Sequence, residues 1–262
     1  MDLNLNQKVA LVTGSHRGTR KAIATALARE GARVILHGFE QDAVEVASAE
    51  IGVQDSVFGD ITTDEGAEQV CQQALKVTGQ VDLLINNYGT AGFGTWLTSD
   101  SNAWLDMFQK NTLSAVRMTR LLMPRMKELK WGRIIQIGTI GSHRPNKVMP
   151  HYYAAKGALA NMTVSLAREL SNTGITVNTV SPGLIRTDEL EAHYREKAKR
   201  LGWGTSWEEI EASIAIHDFP NPVGRIARRE EVADLVAFLC SDRADFINGQ
   251  NIQIDGGALG IV

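Results

Sequence analysis

From Lys8 to Gly257 short apolar runs alternate with stretches of helical periodicity. No other feature limits so strongly what the chain can fold into. "KVALVTG", "ARVILHG", "SVFGD", "VDLLINN", "GRIIQIG", "ITVNTVSPG" and "NIQIDGG" read as strands. Behind the first, Ile23, Ala26 and Leu27 recur at helical spacing, and "QDAVEVASAEI" is the next helix. "DEGAEQVCQQALKVTG" places Val70, Ala74 and Val77 on one face. A long helical stretch runs from about Ser101 to Met126, and "YYAAKGALANMTVSLARELSNTG" is a helix closed by Gly174. The central strands are apolar on both faces, as parallel strands covered by helices must be. The expected class is therefore α/β: a doubly wound parallel sheet of about seven strands with helices on both faces.

No linker or composition break interrupts residues 1–262, so they read as a single domain. The irregular part is residues 187–224, with Trp203, Trp207 and "DFPNPVG". Its "SWEE" reads as a capping box, Ser206 at the N-cap and Glu209 three residues on. We read this part as a helical flap over the sheet's carboxyl edge, where ligands bind in such sheets. A net charge of −3 argues against nucleic acid as the main partner. No run of 18 apolar residues and no basic leader is present, so a soluble, cytoplasmic protein without a membrane partner is expected. Cys71 and Cys240 read as reduced core thiols, and no metal-ligand spacing joins them to the histidines.

The first strand runs into "TGSHRGTR", where Gly14 ends the strand and Gly18 opens a helix. Glycines there let backbone N–H groups approach a pyrophosphate, with the helix N-terminus adding partial positive charge. The spacing is neither GxGxxG nor Walker A, and two glycines in a turn carry little alone. Further on, "YYAAK" places Tyr152 and Lys156 four apart on one helix face. Thr139 follows a strand thirteen residues earlier, "NNYG" follows the fourth strand and "SPGLIRT" the sixth. In this order the set resembles the classical short-chain dehydrogenase/reductase family over essentially the whole length, within its 3-oxoacyl-(acyl carrier protein) reductase-like branch. Thr13, Gly14 and Gly18 match its TGxxxGxG, Asn86, Asn87 and Gly89 its NNAG, Tyr152 and Lys156 its YxxxK, and Pro182, Gly183 and Thr187 its PGxxxT. Its helical asparagine falls on Asn111.

The resemblance implies a Rossmann-type sheet, a nicotinamide dinucleotide and hydride transfer between cofactor and a small-molecule carbonyl or alcohol. Tyr152 is then the general acid/base, although an unperturbed tyrosine, with a pKa of about 10, holds its proton at neutrality. Lys156 and the positive oxidised nicotinamide both favour the tyrosinate. Lys156 also holds the nicotinamide ribose, Thr139 bonds the substrate oxygen, and Asn111 anchors a proton-relaying water. The implied cofactor contacts are Gly14, His16, Arg17, Gly18, Thr19, His37, Asp60, Ile61, Asn87, Gly89, Tyr152, Lys156, Pro182, Gly183, Ile185 and Thr187. Asp60 is expected at the adenine amino group. Each position also has an ordinary structural reading, as a helix pair, a strand-end hydroxyl or a cap.

Three positions depart from the family pattern: Arg20 for a glycine, Tyr88 for alanine and Thr139 for serine. Arg20 either blocks the cofactor or turns outward to a phosphate, and the survival of Tyr152, Lys156 and Asn111 favours accommodation. Gly38 stands where NAD-preferring relatives carry aspartate, and Arg17 matches a basic position of NADP-preferring ones. NADP(H) is therefore the expected cofactor, with NAD(H) possible. His143, Arg144, Met149, His151 and Leu184 are expected to line the substrate pocket; of these, His143, Met149 and Leu184 are the firmest. A second reading is a cofactor-binding but catalytically impaired scaffold, crippled by Arg20 and Tyr88. By resemblance the chain assembles as a homo-oligomer, a tetramer or dimer, through its two long helices and its apolar end "NIQIDGGALGIV".

Overall fold

The structure, a computed structural model, describes residues 2–15 and 18–260, with only the backbone of Gly18, Thr19 and Arg20. His16 and Arg17, two of the expected cofactor contacts, lie outside the described residues. β1 (Val9–Val12), β2 (Arg33–Gly38), β3 (Asp55–Phe58), β4 (Leu83–Asn86), β5 (Gly132–Ile137), β6 (Ile175–Pro182) and β7 (Asn251–Ile254) form one sheet in the order β3-β2-β1-β4-β5-β6-β7. Every pairing is parallel. The order reverses between β1 and β4, which opens a crevice at the carboxyl ends of those strands.

The two-residue period of the strands divides the core. Ala10, Val12, Val34, Leu36, Leu83 and Ile85 face α1 (Gly18–Arg29), α2 (Gln41–Ile51) and α9 (Arg229–Leu239). Val9, Leu11, Ile35, Val57 and Leu84 face α3 (Asp64–Thr78) and α5 (Ser114–Leu129). Each face therefore buries a separate apolar layer, and the sheet is held between them. Both cysteines are buried free thiols, and burial pushes each up to about 12.

The long helical stretch from Ser101 is continuous to Leu129, with a π turn (Gln109–Leu113) between α4 (Ser101–Phe108) and α5 that the sequence reading does not contain. α6 (Pro150–Glu169) opens on a proline at its first turn and ends at Glu169, so Gly174 belongs to the turn entering β6. α9 was not anticipated, and its apolar face (Val232, Ala233, Val236, Ala237) packs on α1.

Residues 187–224, expected to form the flap, contain two helices, α7 (Asp188–Leu201) and α8 (Trp207–His217). The capping box forms: Ser206 Oγ accepts from the Glu209 N–H, and Glu209 accepts from the Ser206 N–H at 3.0 Å. The flap carries its own small core of Tyr194, Ala198, Trp207, Ile210, Ile214 and Ile226.

Candidate active site

The crevice is built from β1 outward. Thr13 leaves β1 with its N–H on Ile85 O, and its Oγ1 accepts from the N–H groups of Asn87 (2.9 Å) and Tyr88 (3.0 Å). Asn87 Nδ2 returns a bond to Thr13 O at 3.1 Å. These bonds lock the exits of β1 and β4 together, and they explain why threonine and asparagine stand there. Gly14 follows at φ +63°, where L side chains are strained. A Cβ on it would also fall 3.2 Å from the Tyr88 side chain.

His37 corrects one expectation. Its side chain is fully buried, with Nδ1 accepting from the Gly14 N–H at 3.0 Å and Nε2 facing Gly59 O at 3.0 Å. A ring that accepts at Nδ1 carries its proton at Nε2 and donates to that carbonyl. His37 therefore braces the cradle turn from below. Ile61 is likewise in the core, so only its backbone is left for a ligand. Asp60 is exposed, and its Oδ1 accepts from the backbone and hydroxyl of Thr62 at 2.8 and 2.6 Å.

Beyond β4 the crevice opens into a cavity of about 610 Å³. Its walls include Asn87, Gly89, Thr139, Tyr152, Lys156, Pro182, Gly183, Ile185 and Thr187, all expected site residues, which come together from four separate chain segments. Lys156 is buried and donates from Nζ to Ile137 O at 2.8 Å. Asn111 sits in the π turn beside the cavity. Its Oδ1 accepts from the Thr90 N–H at 3.0 Å, and its Nδ2 donates to Thr90 O at 2.9 Å and Met107 O at 3.0 Å. A Cβ on Gly89 would fall 2.5 Å from Asn111 Oδ1 and 2.8 Å from Lys156 Nζ. Only glycine lets that loop lie against both groups. Thr139 caps the short 3₁₀ turn Ile140–Ser142 by accepting from the Gly141 N–H at 3.2 Å, which leaves its hydroxyl proton for another acceptor.

The two adjacent tyrosines have separate fates. Tyr152 lines the cavity. Tyr153 packs against Gly141, accepts from Asn146 Nδ2 at 3.0 Å, and burial pushes its phenol above the ordinary value.

None of the three expected substrate-lining residues, His143, Met149 and Leu184, stands in the wall of this cavity. His143 is exposed, and its Nε2 faces Asn251 Nδ2 on β7 at 2.9 Å. Met149 caps α6 outside the cavity. Leu184 packs into the flap core. Proximity in sequence to Tyr152 or Gly183 does not fix direction: His143 meets β7 and Leu184 packs on the cluster of α7 and α8. His151 is buried beside Trp104, their rings 6.0 Å apart. The cavity instead adds Thr90, Ala91, Gly138 and Glu189. Thr90 and Ala91 directly follow "NNYG" and Glu189 lies two residues after Thr187, so adjacency to the motifs was the available signal. Among the described residues no histidine, cysteine or carboxylate group is arranged to hold a metal, and no helix is long and apolar enough to cross a membrane.

This sheet, with a glycine turn at its switch point and a Tyr–Lys pair in the adjoining cavity, defines a dinucleotide-dependent oxidoreductase. Residues 14–258 match the family described as enoyl-(acyl carrier protein) reductase. The chain is 34% identical over 256 residues to the 3-oxoacyl-[acyl-carrier-protein] reductase FabG of Escherichia coli, covering 97% of this chain and 98% of that one. It is 35% identical over 260 residues to the oxidoreductase YvaG of Bacillus subtilis, covering 98% of each. The structure of L-sorbose reductase from Gluconobacter frateurii, complexed with NADPH and L-sorbose, superposes with a TM-score of 0.91 at 32% identity over the full length of both chains. The chain belongs to the short-chain dehydrogenase/reductase family, in its 3-oxoacyl-(acyl carrier protein) reductase-like branch, and is an enzyme acting on CH–OH or carbonyl groups with a nicotinamide cofactor.

Proposed function

We propose that the protein is an NADP(H)-dependent carbonyl reductase, or the corresponding alcohol dehydrogenase, in which Tyr152 moves the proton. The observation that carries this reading is the convergence of Tyr152, Lys156, Thr139 and Gly89 on one cavity, next to Gly14, where the chain leaves β1 at φ +63°, and the start of α1 at Gly18. The residues present fit a dinucleotide. The N-terminus of α1 at Gly18 suits the pyrophosphate, and the cavity that Gly89 and Lys156 both line has room for a ribose. When bound, the nicotinamide supplies or accepts the hydride.

The chain's own groups handle the substrate oxygen. In the reductive direction the Tyr152 phenol gives its proton to that oxygen, and the Thr139 hydroxyl donates a second hydrogen bond. The buried Lys156 ammonium stabilises the tyrosinate left behind, because a positive charge in a low-dielectric wall favours the anion. Asn111 holds Thr90 and, through it, the loop that positions Gly89. Gly38, in place of an acidic side chain at the end of β2, leaves nothing there to repel a 2′-phosphate. The NADPH in the sorbose reductase structure supports the same preference. Thr90, Thr139, Asn87 and Glu189 add polar groups to a wall that also holds Ala91, Ile137, Pro182 and Ile185, which suits a carbonyl compound with both polar and apolar parts. We also read the apolar groove between α5 and α6, with Val116, Met123, Met162 and Leu166, as the contact of a homo-oligomer.

A carbonyl panel containing ketoses and 3-oxoacyl thioesters, followed at the NADPH absorbance, tests the reading. Turnover with NADPH, at a kcat/KM above that with NADH, is expected. Tyr152→Phe should lower kcat by about 10²–10⁴-fold with NADPH binding retained. Unchanged turnover in that variant would remove Tyr152 from the mechanism.

A further inference from the structure

Tyr152 is the third residue of α6, so it stands in a helix's first turn, where backbone N–H groups have no intrahelical partner and the chain frays most readily. α3, α4, α7 and α8 each begin with a side chain that caps this turn: Thr63, Asp100, Thr187 and Ser206. α6 does not. Met149 at its N-cap makes no side-chain cap bond, and the first turn holds no acidic residue to meet the helix dipole. Pro150 favours helical backbone there, but it fixes only its own φ. The turn that must present a phenol at one place is held by something else.

The residues on either side of Tyr152 supply the hold. Tyr153 packs on the 3₁₀ turn that Thr139 caps, where a Cβ on Gly141 would fall 1.9 Å from its ring. His151 anchors the turn to a different neighbour. It is 3% exposed, and its ring lies beside Trp104 of α4. It also lies against the loop beyond β4. A Cβ on Gly92 would fall 3.5 Å from His151 Nε2, and one on Gly94 3.5 Å from His151 Cε1. The same loop carries Thr90 and Ala91 into the cavity wall, and the Gly94 N–H donates to Val148 O at 2.9 Å, just before α6. His151 Nδ1 is buried without a partner among the described residues, so that atom adds nothing to the hold and the seat is one of shape.

We propose that His151 is a positioning residue for the reaction: its ring, lodged between Trp104 and the Gly92–Gly94 loop, pins the uncapped first turn of α6 and so fixes Tyr152 relative to the wall of Thr90 and Ala91. His151 stands outside that wall and acts through Tyr152. The inference rests on the role of Tyr152 proposed above. A proton donor displaced by a fraction of its reach loses rate rather than cofactor affinity. His151→Ala empties the seat, whereas His151→Leu refills it with bulk and carries no ring nitrogen.

Turnover of the best carbonyl compound of the panel above, NADPH titration and amide exchange test this together. His151→Ala should lower kcat about tenfold or more and speed exchange around Tyr153, while the Kd for NADPH and exchange in the middle of α6 stay within about twofold of the parent. His151→Leu should recover most of both losses. If His151→Ala does not fold, Trp104→Ala opens the other side of the seat and carries the same expectation. A parent-like kcat in the alanine variant overturns the proposal. So does a loss that leucine fails to repair, because a ring nitrogen would then matter. Exchange that quickens equally across the sheet overturns it too, since His151 would then be ordinary core. Parent-like turnover in Tyr152→Phe would instead overturn the Tyr152 reading, whatever the His151 variants do.

Discussion

At the scale of single residues, function here depends on which neighbour a side chain can reach. Tyr152 and Tyr153 are adjacent, yet one lines the cavity and the other is held by Gly141 and Asn146. Tyr153→Phe should keep kcat within about twofold and cost about 1 kcal/mol of stability, the value of one lost hydrogen bond, measured by urea unfolding. Gly89→Ala should do the reverse. Its methyl would collide with Asn111 Oδ1 and Lys156 Nζ, so kcat/KM should fall at least about tenfold while the melting temperature moves little. The sequence makes Tyr152, Lys156 and Asn111 legible as candidates through the family motifs they match, and the structure brings Tyr152 and Lys156 to one cavity. The sequence hides the direction of His37 and His143, because their partners, Gly14 and Gly59 for one and Asn251 for the other, come from distant segments.

At the scale of elements, the same limit explains the π turn and α9. Between Ser101 and Met123 no glycine or proline marks a break in the helix. The π turn is nevertheless where Asn111 hydrogen-bonds both backbone groups of Thr90, and π turns recur at functional sites. Glu231, the third residue of α9, accepts from the Arg228 N–H at 2.8 Å and pairs with Arg225. The Arg225 guanidinium is the largest cause holding the Glu231 carboxyl down, from the ordinary 4.5 to about 2. A folded value below the unfolded one means that the pair's contribution is whole above pH 4.5 and fades as the pH falls toward 2. The two side chains are 33% and 37% exposed, so solvent limits that contribution to about 0.5–1 kcal/mol. Glu231→Gln should therefore be less stable than the parent by that amount at neutral pH, and the difference should vanish in urea melts near the acid end.

At the scale of the whole molecule, the fold was readable because parallel strands buried on both faces leave a continuous apolar signature, and seven of them in alternation with helices admit few topologies. The flap was readable as helical from its capping box, but not in what it does to the site. Its core is a third apolar cluster, apart from the two that clamp the sheet. Among the described residues it meets the cavity through its leading edge, where Thr187 and Glu189 stand in the wall. A small cluster buries less apolar surface than either sheet layer, so it opens at a lower free energy than global unfolding. Amide hydrogen exchange should consequently show α7 and α8 losing protection well before β1, β4 and β5. Binding of NADPH with a carbonyl substrate should slow exchange around Thr187–Glu191 more than within α3, because ligand in the cavity stabilises the closed wall in proportion to its occupancy. Equal protection of the flap and the central strands in the ligand-free protein would mean that the three clusters unfold as one unit, and that the flap is a fixed wall rather than a door.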